Sequence, residues 1–88
     1  MVGSPIYMAP EVLFGKSYNN KADVWSLGCV LYEMLYGECP FEEKTMANLI
    51  NSVEHNDVKF PTSVVVSERT IQILTKILVK DPEKRIGW

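Results

Sequence analysis

Residues 19–41 read NNKADVWSLGCVLYEMLYGECPF. Asn19 or Asn20 is a helix N-cap, since a short amide side chain accepts from the free N–H groups of a first turn. The chain then continues as a helix over 21–36. Gly37 supplies the left-handed residue that ends it, and Pro40 blocks any continuation. Val24, Trp25, Leu27, Cys29, Val30, Leu31, Met34 and Leu35 cover most of its circumference. A helix that is apolar nearly all round sits inside something. Gly28 in its interior costs about 1 kcal/mol against Ala, which predicts close approach by another backbone.

The flanks are shorter and more polar. Residues 1–9, MVGSPIYMA, are expected to be irregular, because Pro5 and Pro10 forbid a regular helix through them. Their Tyr, Met and Val content is high for a solvated loop. A single helical turn is expected over 10–14, with Pro10 at its first position and Glu11 beside the helix N-terminus. A second helix is expected over 45–53, where Met46, Leu49, Ile50 and Val53 form one stripe. A third is expected over 68–79, capped by Ser67, with Ile71, Leu74, Ile77 and Leu78 on its buried face. Asp81-Pro82 reads as one more helix start. The valines at 64–66 are the one strand-like run, and three residues are too few to count. The fold class is therefore all-α. Two amphipathic helices cannot surround the central one, so the chain is expected to oligomerise or to be a piece of a larger domain.

Composition narrows the function classes. The chain has 88 residues, 47% of them hydrophobic, and a net charge of −2 with both signs scattered. That suits one small globular domain without a basic face for nucleic acid or a membrane surface. Asp23 and Glu33 interrupt the longest apolar run, and no membrane span or signal peptide is expected. Cys29 and Cys39 lack the spacing of a zinc or redox site and are expected to be reduced, near-core thiols of an intracellular, cytoplasmic protein. His55, the single histidine, is expected on the surface in a polar turn. No metal site is expected.

Three motifs then add a resemblance. GSPIYMAPE, residues 3–11, resembles the peptide-positioning loop and A-P-E motif of eukaryotic protein kinases. KADVWSLGCVLYEMLYGECPF, residues 21–41, resembles the central helix of the kinase C-lobe in the pattern D-x-W-S-x-G followed by G-x-x-P-F. DPEKR, residues 81–85, resembles the D-P-x-x-R segment near the end of that domain. They occur in the family's order, and the likeness covers the whole chain. The Gly-rich loop, the V-A-I-K lysine, H-R-D and D-F-G do not occur in it, and in the family these bind ATP, hold magnesium and supply the catalytic Asp. The resemblance thus implies the lower half of a C-lobe: a partial kinase domain over 1–88 with no second domain.

The resemblance also implies roles for individual residues. Residues 1–9 would carry the substrate peptide, held stiff by two prolines. Met1, Pro5 and Met8 would line the pocket for the residue after the phosphoacceptor. Ser4 would bond the catalytic loop and mark Ser/Thr specificity. Glu33, with Tyr7 beside it, would receive a basic substrate residue. Glu11 and Arg85 would form a bidentate clamp. Asp23 would accept from the catalytic loop, while Trp25 and Gly28 would be packing residues. No catalytic residue is expected in the chain itself.

The expected function is thus that of a serine/threonine protein kinase fragment. The parent would transfer the ATP γ-phosphoryl group to protein Ser or Thr with magnesium. This piece would bind neither cofactor, would be inactive alone, and would need the N-terminal part of the domain as well as a protein substrate. The alternative is a non-catalytic, truncated kinase-like helical interaction module. The wording of the motifs resembles autophagy-initiating, polo-like and never-in-mitosis kinases alike.

Overall fold

Asn19 opens the long helix, its side chain accepting from the Lys21 N–H at 2.9 Å. The computed structural model describes residues 5–16 and 18–87, and within them four α-helices follow a 3-10 turn at Pro5–Tyr7. They are α1 (Pro10–Leu13), α2 (Asn20–Tyr36), α3 (Met46–His55) and α4 (Glu68–Ile77). No strand forms among the described residues. Gly37 ends α2 in the left-handed conformation, with φ at 80°, where a residue with a Cβ would be strained. Thr45 and Ser67 cap α3 and α4 through their hydroxyls. Thr45 is therefore a cap and not the first helical residue, and α3 runs two residues beyond the expected end. His55 is its last residue, exposed beside Glu54 rather than in a turn.

Helix α2 is the centre. The turn at 5–7 and α4 pack on it, and α1 packs on α3. Trp25, Cys29 and Tyr32 of α2 join Leu49 and Val53 of α3 and Leu74 and Leu78 from α4 and its end in one core. Ile71 and Ile77, expected in that core, are only half-buried. A Cβ on Gly28 would lie 2.5 Å from Ile77 Cγ2 and 2.9 Å from Leu78 Cδ2. The close approach at Gly28 thus comes from side chains of α4 and its end, not from a backbone. The absence of a side chain there lets α4 seat directly on α2.

Two other expectations change. Asp81-Pro82 begins a single turn and no helix. Asp81 accepts through its backbone from the Lys84 and Arg85 N–H groups, and through its side chain from the Glu83 N–H. The Ile86 N–H, which a continuing helix would give to Pro82, bonds the Lys76 carbonyl instead. Helix α4 likewise ends two residues early: the Lys76 carbonyl, which a continuing helix would give to the Lys80 N–H, takes the Ile86 N–H, and the Val79 and Lys80 carbonyls meet the Arg85 guanidinium. Val65 is fully exposed and its neighbours form no strand.

The apolar circumference of α2 is covered on one side only. Met34 is 77% exposed, and Leu27 and Leu35 are exposed as well. A monomeric globular domain rarely leaves such a stripe bare. No helix among the described residues is long and apolar enough to cross a membrane.

Candidate peptide-positioning site

The site begins with the turn that Pro5 makes possible. Proline fixes φ near the helical value, and the Met8 N–H closes the turn on the Pro5 carbonyl at 3.1 Å. Ile6 and Tyr7 pack against the core, while Pro5 and Met8 stay half-buried at the surface. The segment is therefore not wholly irregular. Met1 and Ser4, also expected in this site, lie outside the described residues.

Tyr7 is held along α2 at two points. The Ser26 hydroxyl donates to the Tyr7 carbonyl at 2.7 Å. The Tyr7 hydroxyl donates to Glu33 Oε1 at 2.5 Å. Charged acceptors make such bonds short and strong. The Glu33 carboxylate, followed by the nearby Cys39 thiol, pushes the Tyr7 phenol well above its ordinary ionisation range. Cys39 is itself pushed up, chiefly by burial. Cys29 is pushed up to about 12, again chiefly by burial, so neither thiol is a ready nucleophile. Glu33 is half-buried and makes no ion pair among the described residues. The same end of α2 leads into a cleft of about 340 Å³ lined by Glu38, Cys39, Pro40, Phe41, Glu42, Glu43 and Ser52.

Beneath this surface lies a clamp. Arg85 Nη1 donates to Glu11 Oε2 at 2.8 Å, and Nη2 donates to Oε1 at 2.9 Å. The remaining donors meet the carbonyls of Lys21, Val79 and Lys80. Both side chains are almost wholly buried, and the guanidinium lies 5.2 Å from the Trp25 ring centroid. Trp25 stacks on Phe41, centroids 6.2 Å apart and planes within 12°. The clamp joins the start of α1 to the turn at 81–85 across the first turns of α2.

Asp23 stands apart from both groups. It is exposed and accepts from the Tyr18 hydroxyl. The structure thus brings Tyr7 to Glu33 and Glu11 to Arg85, with Trp25 against the second pair. Sequence reading missed Ser26 and Cys39 as neighbours of Tyr7. Among the described residues, no three His, Cys, Asp or Glu side chains gather in a way that could hold a metal ion.

A family model described as the protein kinase domain matches residues 1–88. With its all-helical fold and the order of its motifs, the chain belongs to the protein kinase family and forms part of a kinase C-lobe. Its relatives include the serine/threonine-protein kinase fused of Drosophila melanogaster, 42% identical over 98% of this chain. ATG1 of Colletotrichum lindemuthianum is 41% identical over 100% of it, and ULK3 of Xenopus laevis is 39% identical over 98%. Both are likewise serine/threonine-protein kinases by name. The chain spans only 10%, 13% and 19% of the length of these three proteins.

Proposed function

We propose that this chain is the peptide-positioning and lobe-supporting part of a serine/threonine protein kinase. The whole enzyme transfers the ATP γ-phosphoryl group to a Ser or Thr hydroxyl of a protein substrate. Magnesium neutralises phosphate charge in such a reaction. The described residues gather no cluster of three or more His, Cys, Asp or Glu side chains that could hold that ion. This part contributes orientation, which is a large share of the work when a reaction needs little covalent chemistry from the protein. Alone, the 88 residues transfer no phosphate. An intracellular location accords with two buried, unpaired thiols.

The observation that carries this reading is Glu33. A half-buried carboxylate has oxygens and acceptor sites enough for a second donor beside one phenol. One oxygen takes the Tyr7 phenol, and no cation faces it among the described residues. A basic side chain upstream of the phosphoacceptor is the fitting partner. Pro5 and Met8 offer half-buried apolar surface to the residue that follows the phosphoacceptor. The parts the family resemblance gives Met1 and Ser4 fall outside the described residues. Asp23 takes backbone N–H groups of the catalytic loop.

The test uses the kinase domain that contains this chain, with two peptides differing only in Arg or Ala upstream of the target Ser. Wild type is expected to show a KM about tenfold lower for the Arg peptide, the equivalent of one charged hydrogen bond. Glu33→Gln should erase that difference with kcat little changed, the pattern of lost uniform binding. The isolated 88-residue chain should phosphorylate neither peptide. An Arg preference that survives Glu33→Gln contradicts the assignment.

A further inference from the structure

Ser26 faces two acceptors. Its hydroxyl lies 3.2 Å from the Ala22 carbonyl one turn back and 2.7 Å from the Tyr7 carbonyl. A helical Ser commonly bonds back to the i−4 carbonyl. Here the shorter bond leaves the helix and ties a separate segment to it. Among the described residues, Ser26 is the side chain that donates to Tyr7 O.

Ser26 and Glu33 are seven residues apart on α2, two turns and about 10.5 Å along the axis. Tyr7 therefore lies along the helix, its carbonyl at one turn and its hydroxyl toward the other. A tyrosine fixed at one end alone could swing its phenol off the carboxylate. Fixed at both ends, it holds Glu33 Oε1 in one place.

We propose that Ser26 is a specificity-positioning residue: its hydrogen bond to the Tyr7 carbonyl aims the phenol at Glu33 and so sets where that carboxylate meets a basic substrate side chain. This rests on the peptide-positioning reading given above. Ser26 touches no substrate itself and acts only through Tyr7.

The proposal separates Ser26 from an ordinary packing residue by two readouts in the kinase domain containing this chain. The first is steady-state kinetics with the Arg and Ala peptides. Ser26→Ala should raise KM for the Arg peptide about three- to tenfold, the effect of one neutral hydrogen bond. KM for the Ala peptide and both kcat values should stay unchanged, and Ser26→Thr, which keeps the hydroxyl, should restore the Arg preference. The second is ultraviolet titration of the Tyr7 phenol, isolated by difference against Tyr7→Phe. In wild type it should ionise above the ordinary tyrosine value of 10.0, as the short bond to Glu33 directs, and Ser26→Ala should bring it back toward that value. If KM rises equally for both peptides, or if the phenol titrates unchanged in Ser26→Ala, the proposal is overturned. Should wild type show no Arg preference at all, the peptide-positioning reading fails, and the phenol titration alone decides the role of Ser26.

Discussion

Glu11→Gln and Arg85→Ala should each destabilise the kinase domain containing this chain by about 3 to 5 kcal/mol, and the double variant by clearly less than their sum. The size follows from burial. The Arg85 side chain is 0% exposed and that of Glu11 5%, so removing either partner leaves a charge without water to receive it. Glu11→Gln keeps the shape and one acceptor but loses the charge. Arg85→Ala leaves the carboxylate and three backbone carbonyls short of a donor at once. Arg85→Lys should restore little, because an ammonium cannot reproduce the planar fork that meets both Glu11 oxygens. A loss of that size is a large share of the about 5 to 15 kcal/mol that holds a typical domain together. Urea unfolding of the four forms checks it. Strict additivity would show that the two side chains do not act as a pair.

Trp25→Ala should cost about the same, 3 to 5 kcal/mol by the usual scale for a buried aromatic. Trp25 is 1% exposed, and its ring is shared by Phe41 and the Arg85 guanidinium. Deleting it opens a cavity under the clamp and removes a desolvated cation–π contact. The effect should therefore couple to Arg85: Trp25→Ala made in an Arg85→Ala background should cost less than in wild type. The midpoint of denaturant unfolding should fall with an unchanged slope, marking lost stability rather than a changed unfolded state. Equal costs in the two backgrounds would separate Trp25 from the clamp.

Local chemistry carried most of the fold. Asn19, Thr45 and Ser67 cap three helices and Gly37 ends one, because capping depends on a residue and its immediate neighbours. The failures are those where a distant group competes. Asp81 caps as expected, but the turn after it stops because the Ile86 N–H bonds the distant Lys76 carbonyl instead of Pro82. Gly28 signalled a close approach without saying that Ile77 and Leu78 make it. Glu11 and Arg85 are 74 positions apart, and no helix or strand period links them. Their pairing was legible only through the order of the motifs. The Ser26 bond to Tyr7 had no such guide, since a Ser in a helix reads the same whether it bonds its own turn or another segment.

Positional scanning of a peptide library with the kinase domain containing this chain tests the central claim most directly, namely that these residues choose and orient the substrate. Leu, Ile, Phe or Met should lead at the position just after the phosphoacceptor, where Pro5 and Met8 offer apolar surface and a charged side chain would lose hydration without a partner. Arg or Lys should lead upstream in wild type and lose that lead in Glu33→Gln. If Pro, Asp or Lys ranks first at the following position, and the upstream preference is the same with and without Glu33, then the surface built from Tyr7, Met8 and Glu33 does not position the peptide.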